Sequence, residues 1–289
     1  MLTSILVSGL GLGSMYGLVA LGFHVTYAVS GTVNFAQGSV VTLGAVLAYA
    51  LGVTLGWPMP AAIVLALAGC ALFGLVVERA LVRPFVARGS DAWLLATVAG
   101  GIVLDNTVLF TFGKEPRSLP SPLATKPVEI LGTGIYPLQL VIPVVGIALA
   151  FAIRTVFRRT DLGRVLLAVA QNADAARLMG IDVRRTVACA FALSAVLAGI
   201  AGLLIAPLFS VSAELGTLFG IKAFAVAILG GIGSATGVIL AGLLYGLLEA
   251  GVTATLGSTY TQLVVFSVII LALTLRPDGL LGRAAVNKV

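Results

Sequence analysis

Charged side chains are scarce in this chain of 289 residues. Lys and Arg total 17 and Asp and Glu total 11, which is 10% of the sequence, whereas a soluble domain has about 25%. Residues 1–77 contain no charged side chain at all. So few charges cannot cover a water-soluble globule of this size, and the apolar runs are long enough to cross a bilayer. The sequence therefore predicts an all-α, polytopic membrane helix bundle.

Residues that bind metals or act in catalysis are also rare. The single histidine, His24, has no cysteine or carboxylate cluster near it in sequence, so no metal site is predicted. The two cysteines, Cys70 and Cys189, lie in apolar runs and are interpreted as small packing residues. No GxxxxGK(S/T) phosphate loop, HExxH motif or Ser/His/Asp set occurs. We therefore expect neither enzymatic activity nor a cofactor, and transport powered by another component.

The net charge of +6 is interpreted as a topology signal and not as a nucleic-acid-binding surface. In membrane proteins, Lys and Arg gather in cytoplasmic loops. Three regions carry most of the basic residues: loop 78–91, the interval 158–185, and a tail with Arg276, Arg283 and Lys288. Together they predict an external N-terminus and a cytoplasmic C-terminus.

The apolar runs predict nine membrane segments, or eight if one short segment is re-entrant, in a single transmembrane domain of residues 1–289. Residues 218–248 are too long for one ordinary span, and the glycine turn Gly230-Gly-Ile-Gly-Ser234 divides them. The proline-rich stretch 114–137 is predicted to be an external loop where a soluble partner docks. Three glycines at four-residue spacing predict a helix face for close packing: Gly9, Gly13 and Gly17.

Four polar residues lie in strongly apolar surroundings. Asn34 and Gln37 fall in the stretch Ser30 to Gly38, where their amides either bond to neighbouring helices or mark a helix break beside an aqueous path. Asp105 and Asn106 lie within an apolar span. An ionisable residue there is a functional candidate, although a carboxyl capped by neighbouring amides is an equal alternative. We predict that Asn34, Gln37, Asp105 and Asn106 line a substrate pathway.

The interval 158–185 is the longest polar stretch, with six arginines against three aspartates. Gly180 suits the position after a helix C-terminus, so a helix is predicted from about Leu162. Its apolar residues occupy more than one side, so one face packs on the bundle while the other enters a partner's groove or rests on lipid headgroups. The predicted inner face comprises Leu162, Val165, Leu166, Val169, Ala173 and Ala176; Leu167, Leu178 and Met179 fall elsewhere.

Within this interval, one heptapeptide resembles the cytoplasmic EAA-xxx-G loop of ABC importer permeases, with Asp in place of Glu. It comprises Asp174, Ala175, Ala176, Arg177, Leu178, Met179 and Gly180. Further motifs resemble LivH-type branched-chain amino acid permeases over nearly the whole chain. They include Val33-Asn-Phe-Ala-Gln-Gly38, Leu197-Ala-Gly-Ile-Ala-Gly202, Lys222-Ala-Phe224, Gly246-Leu-Leu-Glu-Ala250 and Pro277-Asp-Gly-Leu-Leu-Gly282. Gln37, Ser39 and Asp105 depart from that family, which often has His, an acid and Gln at these positions.

The resemblance implies a permease subunit of a bacterial ABC importer in the inner membrane, carrying branched-chain or related hydrophobic amino acids. Its implied partners are a second homologous permease, two cytoplasmic ATPases that bind the ATP, and an extracytoplasmic solute-binding protein. The segment Asp174 to Gly180 would dock on the ATPase. Related permeases carry urea, short amides or other small solutes. A stand-alone secondary transporter or channel, with Asp105 or Glu249 as a proton or cation site, is the alternative of a different class.

Overall fold

A computed structural model of the chain describes residues 2–130 and 133–282, and most of them are helical. The α-helices there are α1 (Leu2–Ser30), α2 (Gln37–Tyr49), α3 (Met59–Val76), α4 (Arg83–Val86), α5 (Trp93–Phe112), α6 (Pro137–Arg159), α7 (Asp161–Gln171), α8 (Ala173–Leu178), α9 (Val183–Ile205), α10 (Leu215–Gly230), α11 (Ala235–Leu256) and α12 (Ser258–Leu275). A π-helical segment, Ala50–Thr54, extends α2, and another, Val77–Val82, joins α3 to α4.

The stretch predicted to be an external loop carries a little regular structure. A 3-10 turn spans Pro122–Ala124. It is followed by an antiparallel hairpin of β1 (Val128–Ile130) and β2 (Thr133–Ile135), in which Val128 lies opposite Ile135.

Eight helical segments of the described chain are long and apolar enough to cross a membrane. The helix α10, with 16 residues, is shorter and spans about 24 Å at 1.5 Å per residue. It ends at Gly230 and α11 begins at Ala235, so the glycine turn divides this run as predicted. The prediction of a polytopic helix bundle of eight or nine segments is thus confirmed, with α10 as the short segment.

The chain divides into two compact units, which are described separately. Unit A comprises residues 25–120 and 151–221. In unit A, α2 packs closely on α9 because Gly44 faces Gly199; a Cβ on Gly44 would lie 2.7 Å from the Gly199 Cα. Cys70 is buried against Gly199, as expected of a packing residue, whereas Cys189 is exposed on α9. The predicted packing role therefore holds for Cys70 only.

Unit B comprises residues 1–24, 121–150 and 222–289. Within it, the glycines of α1 lie on α11. A Cβ on Gly13 would lie 2.6 Å from the Gly242 carbonyl oxygen, and one on Gly9 would lie 2.9 Å from the Leu247 Cα. These approaches leave no room for a side chain and confirm the predicted packing face. In the tail, Arg276 directly follows α12, while the predicted cytoplasmic residues Arg283 and Lys288 lie outside the described residues.

A short non-helical connection separates α1 from α2. It begins at Gly31, where φ is +67°, a conformation that glycine adopts without steric cost. Thr32, Asn34 and Ala36 in this connection are nonetheless buried. Irregular backbone within a membrane is tolerated when protein surrounds it. The polar groups of this buried connection therefore face the interior of the bundle.

Candidate translocation pathway and coupling surface

Asn34 lies at the centre of the buried connection between α1 and α2. Its side-chain Oδ1 accepts a hydrogen bond from the Ala36 backbone N–H at 3.1 Å, which fixes the turn before α2. The neighbouring Phe35 N–H donates to Thr97 Oγ1 of α5 at 3.3 Å. The Asn34 Nδ2 is buried and has no hydrogen-bond partner among the described residues. A donor without an acceptor in an apolar interior is available to a water or a passing solute.

Gln37 begins α2 and binds α9 through both ends of its amide. Its Nε2 donates to the Ser194 carbonyl oxygen at 2.9 Å, and Ser194 Oγ donates to its Oε1 at 3.1 Å. The residue is fully buried. Of the two readings of this amide, these bonds favour a link between neighbouring helices. A pathway role for Gln37 stays a prediction.

Asp105 lies where α5, α2 and the start of α10 meet. Thr217 Oγ1 donates to its Oδ2 at 3.2 Å, and Ser39 Oγ donates to the Gly101 carbonyl one turn earlier at 3.2 Å. Thr217 is in the first turn of α10, where the helix dipole favours a negative charge. The other carboxylate oxygen, Oδ1, is buried without a partner in the described chain. A buried carboxyl oxygen without a partner is available to a water or a passing solute.

Asn106 points elsewhere. It is exposed, and its Nδ2 donates to the Ile102 carbonyl of its own helix at 2.8 Å. Val103 and Phe110, also exposed, lie on the same helix. The structure therefore places Asn106 on an exposed surface of α5, apart from the buried Asn34 and Gln37.

A charged cluster that sequence reasoning did not assemble lies in unit B. Lys222 Nζ donates to Glu249 Oε1 at 2.5 Å and to the Tyr16 hydroxyl at 3.3 Å. The Tyr16 ring meets the Tyr245 ring edge-on, with centroids 5.2 Å apart. In sequence, Lys222 and Glu249 were only two separate charges near segment ends. The signal available was that each is a lone ionisable residue in an apolar helix.

The interval 158–185 folds as two short helices, α7 and α8, so the single helix predicted from about Leu162 to Gly180 is wrong. The break lies at Asn172, whose backbone is extended (φ −159°, ψ 103°). Its Oδ1 accepts from the N–H groups of Asp174 and Ala175 at 3.1 and 2.9 Å. An asparagine that caps a new helix in this way competes with continuation of the old one. Gly180, at φ +82°, ends the segment as predicted.

The apolar residues of this interval divide into a buried and an exposed set. The buried set packs with the end of α1 and the start of α9 in one cluster: Leu166, Val169 and Ala176 with Val25, Val29, Val183 and Ala190. Leu162 was predicted on the inner face but is exposed, because it lies in the first turn of α7, before that helix meets the cluster. Leu178 and Met179 are 90% and 82% exposed.

The predicted coupling residues therefore form a small platform. Ala176 anchors it, and Leu178 and Met179 project from it. Asp174 and Ala175 are exposed at its start, where Asp174 Oδ1 accepts from Arg177 Nη1 at 3.1 Å. Two exposed large apolar side chains in a charged loop indicate a surface that another molecule covers.

Comparison with known proteins identifies the family of the chain. Residues 5–274 match the family described as branched-chain amino acid transport system / permease component. The chain is 33% identical to the high-affinity branched-chain amino acid transport system permease protein LivH of Escherichia coli strain K12, over 98% of this chain and 96% of that protein. It is 34% identical to the corresponding protein BraD of Pseudomonas aeruginosa, over 98% and 97%.

A solved structure supports the fold alone. The PsaBC complex from Streptococcus pneumoniae with a Fab superposes with a TM-score of 0.51 at 16% identity, over 94% of this chain and 91% of that chain. Relatives of the family are permease components of membrane transport systems, which are not enzymes themselves. The chain therefore belongs to the branched-chain amino acid transport system permease family and is a multi-pass inner-membrane permease component.

Proposed function

We propose that the chain is one transmembrane subunit of an ABC importer that carries branched-chain or related hydrophobic amino acids into the cell. Its relatives LivH and BraD are permease proteins of high-affinity branched-chain amino acid transport systems, which supports this substrate class. The importer would comprise a second homologous permease, two cytoplasmic ATPases and an extracytoplasmic solute-binding protein. ATP would bind to the ATPases, in keeping with the lack of a phosphate loop in this sequence.

The observation that carries the proposal is the exposure of Leu178 and Met179 beside a buried Ala176. On this proposal the ATPase covers the two exposed side chains and moves them when it closes on ATP. The movement passes through Ala176 to Val183 on α9 and to Val25 near the end of α1, because these residues belong to one packed cluster. A packed cluster transmits displacement because it has low compressibility.

Asn34, Gln37, Asp105 and Asn106 remain the proposed pathway residues. Asn34 Nδ2 and Asp105 Oδ1 are buried polar atoms whose bonding capacity is unfilled in the described chain. Asn106 lies on an exposed surface of α5, which would line a path if the second permease covered it. Gln37 has the weakest support, since α9 occupies both ends of its amide.

The deciding experiment is reconstitution in proteoliposomes. With ATPases, second permease and binding protein present, leucine uptake should require both ATP and the binding protein. The matched control contains the chain alone with an imposed proton or sodium gradient. Gradient-driven uptake by the chain alone would overturn the proposal in favour of a secondary transporter, with either Asp105 or Glu249 as the proton or cation site.

The same vesicles test the substrate class. Competition by valine and isoleucine, with no competition by urea or acetamide, is the expected result. Uptake of urea or a short amide in place of leucine would show that the chain serves another small solute.

A further inference from the structure

The ion pair between Lys222 and Glu249 differs from the other ion pairs in the described chain. Three of the others join exposed residues three positions apart, and the fourth, Arg83 with Glu78, joins residues five positions apart. Lys222 and Glu249 instead link α10 to α11, with side chains 14% and 11% exposed. A buried ion pair is a poor source of stability, because desolvation offsets most of the attraction. Ionisable residues inside membrane helices therefore mark function by default.

Lys222 and Glu249 lie equally far from one end of their helices. Lys222 follows the first residue of α10 by seven residues, and Glu249 precedes the last residue of α11 by seven. At 1.5 Å per residue each charge is about 10 Å from its helix end. The basic loops predict that these two ends face the outside, the side from which a binding protein delivers substrate. The pair is thus expected in the outer half of the membrane.

The hydrogen bonds of the pair leave part of its capacity unused. Lys222 Nζ donates to Glu249 Oε1 and to the Tyr16 hydroxyl, and it lies 5.6 Å from the Tyr16 ring centroid. Glu249 Oε2 is buried and has no partner among the described residues. A carboxylate accepts at both oxygens, and leaving one unpaired in an apolar interior costs free energy. The site therefore presents an anionic acceptor directly beside an ammonium donor.

We propose that Lys222 and Glu249 form a binding site for the zwitterionic head of an amino acid substrate, an assignment that rests on the proposed function. The α-ammonium of an amino acid binds the Glu249 carboxylate, and its α-carboxylate binds Lys222. Both substrate groups are attached to one carbon, so they lie side by side as the two protein charges do. Tyr16 of α1 holds Lys222 by accepting its hydrogen bond, and the Tyr16 ring packs edge-on against Tyr245 of α11.

Exchange of partners explains why two opposite charges are buried and not one. Before the substrate arrives, Lys222 and Glu249 neutralise each other. After it arrives, each is neutralised by one group of the zwitterion, so the site has no net charge in either state. No uncompensated charge is buried at any stage, which keeps passage through a low-dielectric region inexpensive.

Protection of Glu249 in the unmodified complex tests the proposal without any folding defect. The full complex is treated with dicyclohexylcarbodiimide, which reacts with carboxyl groups in apolar surroundings, and labelling is read by mass spectrometry. Binding protein loaded with leucine should slow labelling of Glu249 by about fivefold, as expected at four-fifths occupancy. Glu78, a buried carboxylate with both oxygens bonded to Arg83, is the internal control and should be unaffected. Equal labelling of Glu249 with and without leucine would overturn the proposal.

Paired variants give a second and independent reading. Lys222→Met with Glu249→Leu removes both charges together, so no uncompensated charge is left buried and the complex should assemble. Leucine uptake per ATP hydrolysed should fall by about tenfold or more, as expected for lost charge-assisted contacts. Lys222→Arg keeps the charge and should retain most of the uptake.

Two outcomes of the paired variants would contradict the site. If leucine uptake by the double variant is within about twofold of that by the unmodified complex, a difference under about 0.5 kcal/mol, the pair only joins α10 to α11 and does not bind substrate. If it fails to assemble, labelling of Glu249 in the unmodified complex decides. Failure of the unmodified complex to carry any amino acid would instead overturn the proposed function. This result differs from the two above, which concern the variant only.

Discussion

At the scale of single residues, hydrogen bonding distinguishes two kinds of buried polar group. Some connect neighbouring helices, and others have an atom available to a ligand. Gln37 bonds to Ser194 at both ends of its amide, whereas Asn34 Nδ2, Asp105 Oδ1 and Glu249 Oε2 are buried without partners in the described chain. Each such atom costs about 1–3 kcal/mol when it stays unpaired. Retaining three of them is expected where water or substrate pairs with them during transport.

Replacing Gln37 by Leu distinguishes a structural from a transport role. The variant loses two hydrogen bonds to α9, so the free energy of unfolding of the purified protein should fall by about 1–3 kcal/mol. Thermal unfolding in detergent measures this, and Asn106→Ala, at an exposed position, serves as the control with a change under about 0.5 kcal/mol. Unchanged stability with lost leucine uptake would instead place Gln37 in the pathway.

At the scale of elements, the interval 158–185 shows how a polar loop becomes a defined platform. Thr160 and Asn172 accept N–H groups at the starts of α7 and α8, and Gly180 ends the segment in a left-handed conformation. The buried face ties both helices to α9 and the end of α1. Leu178 and Met179 remain outside; Leu178 follows the buried Ala176 by two residues, which is about 200° around the helix.

Replacing both Leu178 and Met179 by Glu tests this platform as the ATPase contact. Membrane insertion and thermal stability should be unchanged, because both side chains are already exposed. Co-purification of the ATPase should be lost and ATP-driven uptake should fall by about tenfold or more, as for a truncated interface hot spot. The control is Leu162→Glu, a similar change at an exposed site in the first turn of α7, which should retain uptake. Normal transport by the double variant would exclude the coupling role.

Close helix packing in unit B gives a second prediction at this scale. Gly13→Ala places a Cβ 2.6 Å from the Gly242 carbonyl oxygen, so α1 must move away from α11 and stability should fall by about 1–3 kcal/mol. Gly251→Ala is the matched control on α11, since nothing lies within 4 Å of its Cβ. The two purified variants are compared by thermal unfolding. Equal melting temperatures would show that the close approach is not required.

At the scale of the whole molecule, orientation in the membrane follows from the basic loops. Loop 78–91 and the interval 158–185 carry most of the arginines, while the stretch 114–137 has mixed charges. Short loops rich in Lys and Arg stay in the cytoplasm. The chain should therefore present the platform to the cytoplasm and the β1–β2 hairpin to the outside.

Cysteine labelling in whole cells checks this orientation. In a chain with Cys70 and Cys189 replaced by Ala, Arg88→Cys in the basic loop 78–91 should react with a membrane-impermeant maleimide only after the cells are opened. Lys126→Cys should react in intact cells, because it lies in the predicted external loop. Both positions are exposed, so access depends on the side of the membrane and not on burial. Reversed labelling would show the opposite orientation.

The amino-acid sequence determined the class of this protein and its membrane segments, and it located the candidate coupling motif. These features depend on local composition: apolar runs, the glycine turn at 230–234, and the motif ending at Gly180. Local patterns are readable because helix formation and membrane insertion act on contiguous residues. The break at Asn172 was also readable in principle, since asparagine favours helix caps, but the apolar period across it suggested one helix.

Only the tertiary structure decided which distant residues meet. Gln37 bonds to Ser194, Asp105 meets Thr217, and Lys222 pairs with Glu249, across separations of 157, 112 and 27 residues. No local pattern encodes such contacts, because they depend on which helix faces pack. The lone charges in α10 and α11 were visible in sequence, but packing alone joined them into one neutral, partly unsatisfied site.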